Sequence, residues 1–188
     1  MGKTDKTGDG GIHGQLLQNN GFQGSSPDLT AYKSIGHTKI KLDPKNPVSQ
    51  AINASLQVTV PSNTTGFVGF ANTGYKGIPV VEQTYSTSFW MQGKYDGTVR
   101  VQLVGSKSGV VYASHDLTVN SEATKFKQFS ATLDSRASPN GDNEWRVLVD
   151  ARKVKGKSLN FGLVELFPPT YHGRCVFLHF TSFLGMRC

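Results

Sequence analysis

The sequence is poor in cysteine, in charged residues and in long apolar runs. It has 188 residues, of which two are cysteines and 18% are charged. No apolar run approaches the roughly 20 residues of a membrane-spanning helix, and no window sustains the apolar period of 3.6 residues that marks an amphipathic helix. These absences argue against a helical fold and against a membrane partner. The first residues, MGKTDKTGDGG, also lack the apolar core of a secretory signal peptide.

The two cysteines, Cys175 and Cys188, both lie within the last fourteen residues of the chain. Two cysteines alone do not make a structural zinc site, because such a site takes four protein ligands. In an oxidising compartment the two thiols could pair across a small loop, and elsewhere they would be free. The sequence leaves both alternatives open.

The chain is basic, with a formal net charge of +7. Its lysines are scattered, apart from a local basic group within residues 152–157. No run alternates basic residues with aromatic ones, as proteins that bind single-stranded nucleic acid do. A solvated basic surface is therefore favoured over attraction to a polyanion, and we predict no nucleic-acid partner.

Glycine is abundant, with 21 residues, and it separates short stretches of alternating apolar and polar residues. The stretch from Thr84 to Val119 predicts three strands of one antiparallel sheet, with turns at 93–97 and 105–109. Within the first turn, Asp96-Gly97 supplies the positive φ that tight hairpins need. On the first strand, alternation places Tyr85, Thr87, Phe89 and Met91 on one face and Ser86, Ser88, Trp90 and Gln92 on the other.

Similar alternation occurs elsewhere along the chain, and it predicts strands over residues 38–42, 53–60, 67–70, 126–133, 144–150 and 159–167, with one helical turn over 150–156. About nine or ten short strands at this spacing indicate an all-β fold, an antiparallel β-sandwich of the jelly-roll type. We predict that the sandwich spans residues 14–169, after a flexible lead of residues 1–13 and before an atypical tail of residues 170–188. In the last strand, alternation groups Phe161, Leu163, Glu165 and Phe167 on one face.

Motifs of common enzyme classes are missing from the sequence, which has no GxSxG elbow, no GxxxxGK[ST] loop and no GxGxxG after a strand. A glycosidase needs two carboxylates that flank the scissile bond. Glu82 and Glu122 stand beside predicted turns, where a solvated surface position is expected. Glu165 shares a face with apolar residues, and a buried carboxylate must be paired or bind a metal. It could equally be a strand-end residue that reaches water.

Aromatic residues are the better indication of function. Trp90 is out of phase with the apolar face of its strand, and an aromatic ring on the far face of a sheet can stack on a sugar ring. The alternative is that Trp90 packs under a loop or a second sheet. Tyr75, in a loop flanked by glycines, is a candidate of the same kind. Gln92 and Asn72 are their neighbouring hydrogen-bonding partners, and together these four residues form the predicted carbohydrate-binding site.

Four segments of the chain carry a resemblance to a known family. They are GDGGIHGQLLQNNGFQG (Gly8–Gly24), GFVGFANTGYKGIPV (Gly66–Val80), TYSTSFWMQGKYDGTV (Thr84–Val99) and SLNFGLVELFPPTYH (Ser158–His172). In this order they resemble the fungal α-L-arabinofuranosidases of glycoside hydrolase family 51, over roughly residues 8–172. The resemblance implies a jelly-roll module similar to the carbohydrate-binding modules of families 4 and 9, placed beside a TIM barrel that carries the two catalytic glutamates.

The chain departs from the family pattern at both ends, with MGKTDKT where the family has its first barrel strand and GRCVFLHFTSFLGMRC after His172. No position matches the catalytic glutamates, and none is carried over. Modules of this kind often hold a structural calcium between their first and last strands. Gln23 and Glu165 lie in the corresponding segments and are its predicted ligands, although a neutral glutamine suits Ca²⁺ less well than a carboxylate.

These observations predict a non-catalytic module that binds arabinose- or xylose-containing plant polysaccharide, such as arabinoxylan or arabinan, outside the cell. Two alternatives stay open. The chain could retain α-L-arabinofuranosidase activity, which would need a carboxylate pair that the sequence does not reveal. It could also be a purely structural module that braces a catalytic barrel.

Overall fold

Two antiparallel sheets face each other in this protein, as the computed structural model shows for residues 14–23 and 27–169. The strands are β1 (Tyr32–Ile35), β2 (Lys39–Asp43), β3 (Ser55–Thr59), β4 (Phe67–Asn72), β5 (Gln83–Gln92), β6 (Tyr95–Gly105), β7 (Val111–Ser121), β8 (Lys127–Ser135), β9 (Asn143–Asp150) and β10 (Ser158–Phe167), and the helical turn α1 spans Ala151–Val154. The first sheet has the order β1-β4-β9-β6-β7 and the second has β2-β3-β10-β5-β8. The predicted all-β sandwich is confirmed. Across these described residues, no helix is long and apolar enough to cross a membrane.

The core lies between the sheets because the inward face of each strand is apolar. Phe70 on β4 joins the layers: its ring centroid lies 6.1 Å from that of Trp145 in its own sheet and 5.1 Å from that of Phe161 in the other. Trp145 is fully buried, as its alternation with Val147 and Val149 predicts. On β5 the predicted phase is also confirmed, with Tyr85, Phe89 and Met91 buried in the core.

One predicted turn is wrong. β5 and β6 are joined by Gly93-Lys94 alone, and Asp96-Gly97 lies inside β6, paired with β7. β5 belongs to the second sheet and β6 to the first, so the link carries the chain from one layer to the other, and the prediction that the strands of residues 84–119 form one sheet is wrong. Glycine is required at 93 because its φ is +120° and a side chain there would collide with Leu159. The hairpin between β6 and β7 is as predicted.

The last strand contains an irregularity that the sequence pattern does not reveal. The pairing of β10 with β5 shifts between Gly162 and Glu165, and Leu163 has a φ of +43°. An extra residue in a strand reverses the alternation beyond it, so the buried core positions of β10 include Phe161, Val164 and Leu166. The prediction that Glu165 shares the face of Phe161 is therefore wrong, and Glu165 lies on the outer face of the second sheet.

A loop of residues 44–52 crosses the outer face of the second sheet, and Asp43 anchors it. The Asp43 carboxylate accepts hydrogen bonds from Asn46 Nδ2 at 2.7 Å, from the Lys45 amide at 3.0 Å and, across the sheet, from Asn160 Nδ2 at 2.9 Å. Burial by itself raises the pKa of a carboxyl group, but these hydrogen bonds outweigh it and lower the pKa of Asp43 below its ordinary value. The charged form is therefore the one that holds the loop.

We expect the anchoring to be lost in acid. The pKa of Asp43 is lower in the folded protein than in the unfolded chain, where it is about 3.9. The ionised carboxylate therefore stabilises the fold at pH values above the unfolded pKa, and this stabilisation is lost as the pH falls through the folded pKa. An Asp43→Asn variant should be less stable than the parent at pH 7 by about 1–3 kcal/mol, because donors are left unpaired. That difference, measured by urea unfolding, should shrink as the pH falls below about 4.

The control for this experiment is Asp116→Asn, since Asp116 pairs with Arg100 at the surface. An exposed ion pair contributes only about 0–1 kcal/mol, so this variant should differ little from the parent at pH 7. An Asp43→Asn penalty that stays constant from pH 7 to pH 3 would contradict the role of the carboxylate charge.

Candidate functional site

The candidate site is the part of the second sheet's outer face that surrounds Trp90, here named the Trp90 face. Trp90 lies between Gly162 on β10 and Gln128 on β8, and two residues earlier Ser88 pairs with Glu165. Since side chains alternate along a strand, Ser88 and Trp90 point to the same side. Trp90 is half-buried, so that part of its indole is open to solvent.

Beside the indole, three polar side chains form a hydrogen-bonded chain. The Ser88 hydroxyl donates to Glu165 Oε2 at 2.6 Å, and Gln128 Nε2 donates to Ser88 Oγ at 3.4 Å. Ser88 is buried, Glu165 is half-buried and Gln128 is exposed. The serine therefore fixes the position of the carboxylate, while Glu165 and Gln128 keep polar surface available to a ligand.

The loop of residues 44–52 limits the Trp90 face on one side. Val48 sits directly above Gly162, and any side chain at 162 would collide with it. Glycine at 162 thus lets the loop pack closely on the sheet next to Trp90. Away from this contact, Trp90 and Glu165 are half-buried and Gln128 is exposed.

The four predicted carbohydrate-binding residues are not brought together. Tyr75 follows β4 and is 65% exposed. Asn72, at the end of β4, and Leu103 on β6 both pair with Trp145 on β9, so that Tyr75 lies near the level of Leu103 in the first sheet. Leu103 stands eight residues beyond Tyr95, the start of β6, or about 26 Å along the strand. Trp90 lies just before that start, so Trp90 and Tyr75 occupy opposite ends of the sandwich.

Asn72 and Gln92 have contrasting environments. Asn72 is fully buried: its Oδ1 accepts from the Gly74 amide at 2.9 Å and its Nδ2 donates to Gln18 O at 2.8 Å. These bonds shape the adjoining loops, and the prediction that Asn72 faces a ligand is wrong. Gln92 is half-buried at the position two residues after Trp90, and it belongs to the Trp90 face.

The two predicted calcium ligands are engaged by different partners. Gln23 donates through Nε2 to Ala51 O at 3.2 Å, whereas Glu165 accepts from Ser88. In the ranges 14–23 and 27–169 there is no group of three or more His, Cys, Asp or Glu side chains that could hold a metal ion. The residues described do not fit a calcium site built on Gln23 and Glu165.

Gln15, which the sequence pattern does not single out, joins the first described segment to the last strand. Its Nε2 donates to Val164 O at 3.3 Å, and its Oε1 accepts from the amides of Leu17 at 3.1 Å and Leu166 at 2.9 Å. A neutral amide therefore links the first described segment to the last strand.

A second glutamate, Glu144, is buried where sequence alternation gives no sign of it. It lies on β9 and pairs with Arg146 at 2.7 Å and with Lys33 at 2.5 Å. Both cations flank it on the outer side of the first sheet, whereas Glu165 lies outside the second. Facing sheets are about 10 Å apart and glycosidase carboxylates are about 5–9.5 Å apart, so Glu144 and Glu165 are too far apart to act as such a pair.

Comparison with known proteins relates this chain to α-L-arabinofuranosidases. No family model matches the chain. The α-L-arabinofuranosidase A of Aspergillus kawachii is 42% identical over 168 residues, which are 89% of this chain but 27% of that protein. The chain thus spans about a quarter of the length of the curated relatives it matches.

Solved structures agree with this relationship. An arabinose-bound α-L-arabinofuranosidase of family GH51 superposes with a TM-score of 0.80 and 34% identity, covering 88% of this chain and 28% of that one. A carbohydrate-binding module of family 4 superposes with a TM-score of 0.51 and 16% identity, covering 74% and 95%; it shares the fold alone. The resemblance to the α-L-arabinofuranosidases of glycoside hydrolase family 51 is therefore confirmed, and this chain corresponds to a part of such a protein.

Proposed function

We propose that the chain is a non-catalytic carbohydrate-binding module that recognises arabinose- or xylose-containing plant polysaccharide, such as arabinoxylan or arabinan. The observation that carries this proposal is the Trp90 face, where a partly exposed indole lies beside an oriented carboxylate, the half-buried Gln92 and the exposed Gln128. Indole offers a flat apolar surface with little conformational freedom, which suits the apolar side of a sugar ring.

The spacing of the Trp90 face matches the size of a monosaccharide. Neighbouring strands are about 4.8 Å apart, and side chains two residues apart on one strand are about 7 Å apart. A sugar ring stacked on Trp90 therefore places its hydroxyl groups within reach of Glu165 on one side and of Gln92 or Gln128 on the others. The carboxylate accepts from hydroxyl groups, while the amides both donate and accept.

The loop of residues 44–52, which borders the Trp90 face, influences which part of a polysaccharide can bind there. Val48 stands over Gly162 on β10 next to Trp90, which favours approach of a ligand from the β8 side. This arrangement favours a short side branch or a chain end over a long backbone that runs across the whole sheet. Arabinofuranose branches on a xylan backbone are ligands of this shape.

The relatives support the same substrate class. The Aspergillus kawachii relative is an α-L-arabinofuranosidase, and the superposed family GH51 structure holds arabinose. Because this chain spans about 27% of such a relative, the activity of the whole protein is not carried over. We propose that the chain acts outside the cell, where plant polysaccharides are found.

The first test replaces the stacking residue. A Trp90→Ala variant should lose most of its retardation in gels that contain arabinoxylan, with an apparent affinity weaker by about tenfold or more, because loss of a central aromatic contact costs about 1–2 kcal/mol or more. Affinity electrophoresis measures this change as the difference in migration between gels that contain arabinoxylan and gels without polysaccharide.

The matched control is Tyr75→Ala, an exposed aromatic residue at the opposite end of the sandwich. It should migrate like the parent. Equal migration of the Trp90→Ala variant and the parent through arabinoxylan, or equal loss in both variants, would remove the support for the Trp90 face as the binding site.

A second test addresses the carboxylate. Glu165→Gln keeps the size of the side chain but removes its charge, and hydrogen bonds to a charged group are stronger than neutral ones by about 1 kcal/mol. We therefore expect about fivefold weaker arabinoxylan binding. Titration calorimetry with an arabinoxylan oligosaccharide measures the affinity of both proteins. A Glu165→Gln variant that binds as tightly as the parent would exclude a direct contact between the sugar and Glu165.

A third test separates binding from hydrolysis. The parent chain should release 4-nitrophenol from 4-nitrophenyl α-L-arabinofuranoside no faster than the buffer does, because the half-buried Glu165 and the buried Glu144 lie outside different sheets. Colorimetric assay over several hours detects the product. Turnover that is present in the parent and absent from Glu165→Gln would establish α-L-arabinofuranosidase activity instead.

A further inference from the structure

Two segments of the sequence match the acceptor motif for N-linked glycans, in which an asparagine stands two residues before a serine or threonine. They are NAS at residues 53–55 and NTT at residues 63–65. A glycan is large and polar, so only an asparagine at the surface of the folded protein can carry one. The surroundings of the two segments differ, and they single out one asparagine.

The second motif lies on a turn between β3 and β4 that is open to solvent. The Thr64 amide closes the turn by donating to Pro61 O at 3.2 Å. Asn63 and Thr65 are both exposed. The side-chain amide that would be modified and the hydroxyl group two residues later, which completes the motif, are therefore reachable together.

The first motif is built into the fold. Asn53 is exposed, but it stands between the buried Ile52 and Ala54. The Ser55 hydroxyl is fully buried and accepts from Asn160 Nδ2 at 2.9 Å. The hydroxyl group of this motif is thus occupied by the hydrogen bonding of the second sheet.

A cleft of about 550 Å³ opens beside the exposed turn. Ligand pockets typically have volumes of about 300–1,000 Å³. The cleft is lined by residues 63–65 of the turn, by Gly36 and His37 from the turn between β1 and β2, and by Phe67 and Val68 at the start of β4. Because Asn63 is itself part of the lining, a sugar attached to its side chain starts at this cleft.

The lining of the cleft is held in place by close packing. Gly36 has a φ of +71° and lies so close to Val68 that a side chain there would collide with it. The Arg100 guanidinium lies 4.1 Å from the centroid of the Phe67 ring, and the ring is half-buried. A sugar in the cleft therefore meets an aromatic side chain whose position is already fixed.

We propose that Asn63, and not Asn53, carries an N-linked glycan, and that the first N-acetylglucosamine of this glycan packs in the cleft against Phe67 and His37. Aromatic rings offer the apolar side of a sugar a flat contact surface, and the exposed imidazole can donate or accept hydrogen bonds. The proposal rests on the proposed location outside the cell, because N-linked glycans are added to secreted chains.

The modification is a glycosyl transfer to the side-chain nitrogen of Asn63. Its co-reactant is an oligosaccharide that is linked through a diphosphate to a polyprenol lipid. A bond forms between Asn63 Nδ2 and C1 of the first N-acetylglucosamine, while the bond between C1 and the diphosphate oxygen breaks. The lipid diphosphate leaves with the electron pair of that bond, and the amide nitrogen gives up one proton.

A glycan on Asn63 leaves the Trp90 face free. Val68 is buried in the core, so alternation along β4 turns Phe67 to the outer face of the first sheet, whereas Trp90 lies outside the second. Asn53, in contrast, directly follows the loop of residues 44–52, which borders the Trp90 face. The glycan and polysaccharide binding can therefore be tested separately.

The first test uses the full chain, secreted by yeast behind an added leader. Mass spectrometry before and after treatment with peptide N-glycosidase F should show one glycan on the parent and on the control Asn53→Gln, and none on Asn63→Gln. Thr65→Ala, which breaks the motif but keeps the acceptor, should also carry none. A parent without a glycan, a glycan that persists in Asn63→Gln and Thr65→Ala, or a glycan lost from Asn53→Gln would overturn the proposal.

The second test addresses the cleft. Endoglycosidase H leaves the first N-acetylglucosamine in place, so it should not change the melting temperature. Peptide N-glycosidase F removes that sugar and leaves aspartate, and it should lower the melting temperature by about 2–4 °C, to that of an Asn63→Asp variant. In Phe67→Ala neither enzyme should change the melting temperature.

Equal effects of the two enzymes on the parent, or a fall that persists in Phe67→Ala, would contradict the contact between the sugar and the cleft. Retardation by arabinoxylan should be the same before and after removal of the glycan. A chain that carries the glycan on Asn63 but is not retarded in either form would refute the proposed polysaccharide binding and leave the assignment of Asn63 intact.

Discussion

The shift of pairing in β10 between Gly162 and Glu165 is the constraint on which the second sheet depends. β10 lies at the centre of that sheet, so its alternation decides what enters the core and what reaches the outer face. The single extra residue lets Phe161 and Leu166 both pack inward while it turns Glu165 outward. Without this shift the carboxylate would face an apolar core, where an unpaired charge is costly.

The part of β10 around Gly162 contributes both to the stability of the fold and to the shape of the Trp90 face. Gly162 admits Val48 above the sheet, and Asp43 fixes the loop that carries Val48 through hydrogen bonds to its own loop and to Asn160. The side that bounds the candidate site is therefore held by a buried polar network and not by a long flexible connection. Such pre-organisation lowers the entropy lost when a ligand binds.

Local alternation predicted most strands, because each sheet buries one face and side chains alternate with period two. It also placed Trp90 outside the core. It could not assign β5 and β6 to different sheets, because a short link such as Gly93-Lys94 can join two strands of the same sheet or two strands of facing sheets. Nor could it show the burial of Asn72 and Glu144, because their partners, Gln18 and Lys33, are distant in sequence and are brought near only by the complete fold.

The buried Glu144 has a consequence for how this sequence can diverge. Its carboxylate is fully buried and paired with Lys33 and Arg146, which both reach solvent. A buried charge left without its partners typically costs about 3–5 kcal/mol, much of the total stability of about 5–15 kcal/mol of an ordinary domain. Loss of both cations is therefore expected only together with loss of the acid, which is the buried member of the trio. A homologue that has exchanged the acid for an apolar residue can keep either cation, because both side chains reach solvent.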